Sequence, residues 1–408
     1  MGTFIFSSTF SPRWLRLETG ALVSEELLGL SLLVLVGKVL GDLTERAGYG
    51  RLVGEITGGA LLGPYAIGGL VNGLLKARLF YIGSETVFLS EFSMILLVFA
   101  SGLDHGTAPL RRAGLWGALG AVFGAVTPFA LSLSLVKFGL VNGVQALFIG
   151  ASVAPTSLAV VSGMLREKAS GKFADFLFSA AALDDVVSLI ILSVAMGVSQ
   201  LGSSFSALAI IRTTVYYSAA WIIIYYASVK LIPFLVSALG RRYAVEASLV
   251  VLFGLIAAMQ SLGFSPVIAA FIAGVTLAET VGVDVLRDLY RSLLLVFGSV
   301  FFVVTGAQLD PRAVGLQGLA LAAVILALAL IGKAAGALPF AYAYIRDLKE
   351  STSAAVAMEP RGEVGLAVAS IGLSVGILSQ ELYGSLVLAI ALTTVIGAAA
   401  FARLYRAS

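Results

Sequence analysis

Two stretches of the sequence decide the fold: residues 151–165 read ASVAPTSLAVVSGML, and residues 354–373 read AAVAMEPRGEVGLAVASIGL. Each stretch places a proline and several polar residues in the middle of an otherwise apolar segment. A proline lacks the backbone N–H and its ring clashes with the preceding helical turn, so both segments are predicted to be helices broken near their centres. Such breaks are tolerated at membrane depth only where protein or a water-filled cavity surrounds the freed backbone groups.

The composition places both breaks inside a membrane. Of the 408 residues, 59% are apolar and 12% are charged, and the mean hydropathy is +1.02, whereas soluble domains average about 25% charged residues. A soluble fold is therefore excluded. The chain has no cysteine and a single histidine, His105, which excludes thiol chemistry and histidine-based zinc sites. The net charge of +3 is spread too thinly for a nucleic acid partner.

Apolar segments of about 20 residues, the length that spans a bilayer, recur along the chain. Thirteen crossings are predicted after an extramembrane leader at residues 1–21. Most Lys and Arg residues fall in the loops of one side, which puts the N-terminus outside and the C-terminus in the cytoplasm. The predicted crossings are 22–43, 52–72, 86–104, 113–136, 142–165, 173–199, 207–236, 244–262, 265–283, 290–309, 314–345, 352–378 and 381–402.

The two broken segments are the fifth and twelfth crossings, so they are offset by seven. An odd offset reverses the orientation of the second half, and two inverted six-helix repeats are therefore predicted at 22–199 and 244–402, joined by a linker helix at 207–236. Together they form one transmembrane domain, 22–408, with no cytoplasmic regulatory domain. Inverted repeats with paired broken helices are the plan of secondary transporters, whose substrate site lies at the membrane midplane between the repeats.

Charged residues inside the predicted crossings carry the functional argument. Asp184 and Asp185 lie in SAAALDDVVSLIIL, near the centre of the sixth crossing, where a charge costs about 2.5–3.5 kcal/mol. Adjacent residues are about 100° apart around a helix, so the two carboxylates face different partners. A buried Lys333 needs one aspartate, which leaves the other as an oxygen ligand for a hard cation or a proton. The alternative is that Lys333 extends to the interface, as Gly332 and Gly336 would permit.

The two breaks bring further polar residues to membrane depth. Thr156 and Ser157 follow Pro155 at the first break, where their hydroxyls are either ion ligands or replacements for lost helical hydrogen bonds. Residues around the second break are predicted to hold the half-helices together as an ion-paired structural group: Glu359, Pro360, Arg361 and Glu363. Three other charged residues are predicted to have packing or interface roles without a part in transport: Lys38, Glu55 and Glu91.

A set of motifs covers essentially the whole chain: RLVGEITGGALLGP, APTS, LDDVVSLIIL, FFVVTGAQLD, GKAAGA and EPRGEVGLA. The set resembles the monovalent cation/proton antiporter superfamily, in particular its second branch of NapA-type sodium/proton antiporters and Kef membrane domains. The resemblance implies a dimerisation domain and a six-helix core domain with crossed broken helices, usually in a homodimer. It also implies that Asp185 binds sodium and protons, that Asp184 pairs with Lys333, and that Thr156 and Ser157 lie at the ion site.

The expected function is exchange of sodium or lithium for protons by alternating access, in the plasma membrane and without a cofactor or enzymatic activity. The Asp-Asp pair looks like the electrogenic type, because electroneutral relatives typically carry Asn and Kef proteins Gln at the first position. Kef-type potassium/proton exchange is the alternative, although the sequence ends at Ser408 without the nucleotide-binding domain of Kef systems.

Two other classes of protein fit the sequence less well. A cation channel usually has a pore axis shared between subunits rather than inverted halves around one site. An intramembrane aspartyl protease needs two carboxylates that share a proton, but adjacent residues of one helix diverge.

Overall fold

The computed structural model describes residues 13–106, 114–157, 160–161, 171–201 and 207–406, and these residues form α-helices and connecting turns without a β-strand. A 3₁₀ turn at Arg241–Tyr243 precedes the tenth helix. In chain order the helices are α1 (Arg13–Arg46), α2 (Arg51–Leu62), α3 (Ile67–Leu75), α4 (Ser84–His105), α5 (Gly114–Ser132), α6 (Ser134–Lys137), α7 (Gly143–Val153), α8 (Gly171–Ser199), α9 (Ala207–Leu239), α10 (Ala244–Ser261), α11 (Pro266–Leu277), α12 (Val283–Ala307), α13 (Pro311–Ile345), α14 (Leu348–Ala357), α15 (Glu363–Ser374) and α16 (Gln380–Arg406).

Within the described ranges, ten helical segments are long and apolar enough to cross a membrane. Some of these candidate spans join two short helices, α2 with α3 and α5 with α6. Three shorter apolar helices, α7, α11 and α15, lie where the fifth, ninth and twelfth crossings are predicted. The all-helical, polytopic fold is therefore confirmed, whereas the number of thirteen crossings stays a prediction.

The second predicted crossing, 52–72, is kinked rather than continuous. Helix α2 ends at Leu62 and α3 begins at Ile67, with Gly63 and Pro64 between them. Pro64 has no N–H for the helical ladder and its ring crowds the preceding turn, so the helix cannot run through this point. The two helices together remain a single candidate span, Arg51–Leu75, at the place of the second predicted crossing.

Helix packing divides the chain into two bundles. We call α1–α4 and α10–α12 the scaffold bundle, because these helices pack mainly on one another. We call α5–α8 and α13–α16 the core bundle for the same reason. Helix α9 joins the bundles by packing on α8 and α11, and the bundles meet directly where α15 lies against α4 and α16 against α2. The two broken helices both belong to the core bundle.

The helices that pack on one another agree with the predicted offset of seven crossings between the two repeats. In the scaffold bundle α4 packs on α11, and the counterparts of these helices seven crossings away, α12 and α2, also pack together. In the core bundle α5 packs on α8, and their counterparts α13 and α16 do the same. This pattern supports the division into repeats at 22–199 and 244–402, which we retain as a proposal.

A close contact between α5 and α13 fixes the surroundings of Lys333. A Cβ atom on Gly336 would lie 2.2 Å from the carbonyl oxygen of Phe123, so only glycine lets these two backbones touch. Lys333 lies about one turn earlier on α13, has no exposed surface, and packs its methylene groups near Gly124 of α5. The alternative in which Lys333 extends to the membrane interface is wrong, because the glycines admit a neighbouring helix and not solvent.

Candidate ion-binding site

The two broken helices meet at their unwound segments. Helix α7 ends before Pro155, and α14 and α15 are separated by a non-helical segment around Pro360. The Ser157 N–H donates to the Pro360 carbonyl at 2.9 Å, and Thr156 Oγ1 donates to the Met358 carbonyl at 3.0 Å. Each break therefore supplies partners to the other, which satisfies backbone groups that the two helices leave free. Both breaks lie at the positions predicted from sequence.

Glycine permits this crossing at one critical point. A Cβ atom on Gly362 would lie 2.5 Å from Ser157 Oγ, closer than side-chain atoms approach one another. The Ser157 hydroxyl in turn donates to Glu363 Oε2 at 3.2 Å. Gly362 thus leaves the space in which the Ser157 hydroxyl reaches the carboxylate at the start of α15.

The Arg361 guanidinium binds the broken backbone from inside the core bundle. It is fully buried, and it donates through Nε to the Val153 carbonyl at 2.7 Å and through Nη2 to the Ala329 carbonyl at 3.1 Å. It also donates to the Glu359 carbonyl and lies 3.5 Å from Glu359 Oε2. Since these contacts join α7, α13 and the second break, Arg361 and Glu359 have the geometry of the structural group expected from sequence.

Lys333 and Asp184 form a buried ion pair beside the first break. Lys333 Nζ lies 2.6 Å from Asp184 Oδ2, and neither side chain has exposed surface. The same ammonium donates to the Ala154 carbonyl at 2.6 Å, a group that the end of α7 leaves free. Lys333 is therefore held by a carboxylate from α8 and by the unwound segment that follows α7.

Asp185 follows Asp184 on the same helix, next to the buried ion pair. It is fully buried on α8, and it interacts electrostatically with Glu363, Asp184 and Lys333. The sequence grouped Glu363 with Arg361, but in the structure the Glu363 carboxylate accepts a hydrogen bond from Ser157 of the first break instead. The sequence shows that Glu363 lies at the start of the second half-helix. That position alone does not say in which direction the side chain points.

The oxygen atoms at the first break suit a hard cation. Thr156 and Ser157 donate their hydroxyl protons to other acceptors, which leaves lone pairs on both oxygens for a further partner. Carboxylates, hydroxyls and unwound carbonyls are the ligands that hard cations prefer, and a carboxylate also takes a proton.

Two other intramembrane charges lie in the scaffold bundle. Ser299 Oγ donates to Glu55 Oε1 at 2.6 Å, and Lys38 Nζ donates to the Leu295 carbonyl. These contacts tie α2 and α1 to α12. The geometry agrees with the packing role predicted for Glu55 and Lys38.

A membrane protein in which two broken helices cross beside a buried, charged pair has the architecture of a secondary transporter. The family model described as "Sodium/hydrogen exchanger, transmembrane" matches residues 31–406, and the chain belongs to this family. The resemblance noted in the sequence is thereby confirmed at the level of the superfamily.

Individual relatives agree with this assignment along nearly the whole chain. The high-affinity Na⁺/H⁺ antiporter NhaS3 of Synechocystis is 29% identical, over 90% of this chain and 87% of the relative. The Na⁺/H⁺-K⁺ antiporter GerN of Bacillus cereus is 28% identical, over 90% and 93%. The sodium proton antiporter MjNhaP1 of Methanocaldococcus jannaschii has the same fold, with a TM-score of 0.71 at 16% identity over 94% of this chain and 98% of that one.

Proposed function

We propose that this chain exchanges sodium, or lithium, for protons across the membrane by alternating access. The observation that carries the proposal is the position of Asp185, a fully buried carboxylate beside the Asp184–Lys333 pair where the two unwound segments meet. The names of the relatives NhaS3 and GerN support sodium and protons as the exchanged ions. The Kef-type alternative finds no support in these comparisons.

Competition at one carboxylate couples the two ion flows. Asp185 must lose its proton before it binds sodium, and it must release sodium before it is protonated again. A single group that holds either ion prevents one flow without the other, and it requires the apparent sodium affinity to fall as the proton concentration rises. Thr156 and Ser157 supply neutral oxygen ligands in this scheme.

The Asp184–Lys333 pair makes the exchange electrogenic in this proposal. When sodium binds at Asp185, Lys333 leaves Asp184 and loses its proton. On the return step Asp185 and Lys333 each carry a proton, so two protons cross for one sodium ion.

Alternating access is a movement of the core bundle against the scaffold bundle. The limited direct contact between the bundles, chiefly α15 with α4 and α16 with α2, supports such a movement. We propose that the scaffold bundle forms a homodimer in the lipid bilayer of the plasma membrane, with the N-terminus outside and the C-terminus in the cytoplasm.

Reconstitution into proteoliposomes tests the function. An imposed pH gradient should drive sodium uphill, and sodium, lithium and potassium supplied in turn should show which ions are exchanged. The Asp185→Asn variant, which keeps the shape of the side chain, should show no exchange. The control variant Asp310→Asn, at the N-cap of α13 where asparagine still caps the helix, should behave as wild type. Dissipation of a sodium gradient without uphill movement would indicate a channel, and exchange of potassium alone would exclude the proposed cation.

A further inference from the structure

A cavity of about 170 Å³ lies between the two bundles, away from Asp185. Its wall is formed by α4 and the end of α12 from the scaffold bundle and by α15 from the core bundle. That volume holds several water molecules. The polar lining residues are Ser90, Glu91, Gln308, Ser370 and Ser374.

Glu91 is the charged residue of this lining, and it lies inside the candidate span Ser84–Asp104. It is about seven residues from the start of α4, roughly 10 Å along the helix axis. Within the described residues its carboxylate makes no ion pair or hydrogen bond. A charged side chain inside a membrane segment is costly unless it faces water, a partner or a bound ion, and such residues mark ion pathways.

One face of α15 connects the cavity with the candidate ion site. Residues seven and eleven positions apart lie on the same side of an α-helix, which places Glu363, Ser370 and Ser374 in one stripe. Glu363 accepts a hydrogen bond from Ser157 of the first break at one end of the stripe, and Ser370 and Ser374 line the cavity at the other. The distance from Glu363 to Ser370 is roughly 10 Å along the axis, so the cavity is separate from the point where the broken helices meet.

We propose that this cavity is a second, peripheral binding site for a hard monovalent cation, in which Glu91 supplies the charge and Ser90, Gln308, Ser370 and Ser374 supply neutral oxygens. Such a ligand set suits an ion of the sodium class, because all of its members offer oxygen. The site would raise the local cation concentration before the ion moves to Asp185. Only the movement of the ion from the cavity to Asp185 rests on the proposed function, since binding in the cavity needs no transport.

The direct test is sodium binding in a background that cannot use Asp185. Purified Asp185→Asn protein should retain one weak sodium site by ²³Na nuclear magnetic resonance, and addition of Glu91→Gln should remove it. The matched control is Glu85→Gln, which removes another carboxylate of the same helix, α4, that does not line the cavity. Absence of sodium binding in Asp185→Asn, or equal binding with and without Glu91, would overturn the proposal.

A transport measurement gives the sidedness. Glu91→Gln should raise the KM for sodium about three- to tenfold, which corresponds to about 0.7–1.4 kcal/mol of lost binding. The increase should be seen when sodium is supplied from the side of the membrane opposite Arg287 and Arg291. The maximal rate should be retained. Ser374→Ala should raise the KM in the same direction and replaces Glu91→Gln if that variant does not fold. An unchanged KM, or an equal change on both faces, would contradict the peripheral site. If wild type moved no sodium uphill, the proposed function would fail while the binding test still decided this inference.

Discussion

Lys333 and Asp184 form an ion pair of 2.6 Å with no solvent contact, and the Ala154 carbonyl is a further acceptor for the same ammonium. The pair joins α13 to α8 at the point where α7 unwinds. Removal of one partner from a buried pair leaves an uncompensated charge, which typically costs about 3–5 kcal/mol. The pair therefore stabilises the core bundle, and it is also the proposed source of the second proton.

The first prediction concerns stability. Lys333→Met and Asp184→Asn should each lower the thermal unfolding temperature of the detergent-purified protein, while the double variant should lose less than the sum of the two, because neither group is then left alone. The control is the exposed pair Arg241–Asp284, whose variants should shift stability by less than about 1 kcal/mol. Additive losses at Lys333 and Asp184 would show that the two groups do not interact.

The second prediction concerns charge movement. Wild-type protein on a solid-supported membrane should give a net current when a sodium gradient is applied, because the proposed cycle moves two protons for each sodium ion. Lys333→Gln should reduce this current more than it reduces exchange measured by a pH-sensitive dye. A wild-type current of zero, with exchange unaffected by an imposed potential, would rule out the proposed stoichiometry.

The third prediction concerns the crossing of the broken helices. Gly362→Ala should reduce exchange strongly, at least tenfold. The new Cβ would lie 2.5 Å from Ser157 Oγ, which is too close, so the Ser157 side chain would have to move. Gly254→Ala on α10 is the matched control, since a Cβ there meets no atom within 4 Å and alanine is the better helix former. Equal exchange by both variants would show that the contact between Gly362 and Ser157 has no part in transport.

The broken helices and the Lys333–Asp184 partnership could be anticipated because proline and charge are expensive at membrane depth and leave few arrangements. The place of Glu363 could not be anticipated in the same way. Its direction depends on how α15 is rotated against α7, which a contact between residues 206 positions apart determines. The kink at Pro64 lies inside a continuous apolar stretch, so hydropathy gives the crossing but not the interruption of the helix.

The fourth prediction concerns the movement of the bundles. The natural chain has no cysteine, so Ser370→Cys provides a single thiol on the face of α15 that lines the cavity. Labelling by a water-soluble maleimide should differ between a low-pH, sodium-free state and a high-pH, sodium-bound state. The loop variant Arg78→Cys should label equally in both. Identical labelling of Ser370→Cys in the two states would argue against movement of α15 relative to the scaffold bundle.

Proton release on sodium binding tests the central claim, competition at Asp185, most directly. Sodium added to lightly buffered, purified wild-type protein below neutral pH should release about one to two protons per bound sodium ion, because the cation displaces what the carboxylate carries. Asp185→Asn should release none, and the control Asp310→Asn should match wild type. Sodium binding by wild type without proton release, or undiminished release by Asp185→Asn, would contradict the account.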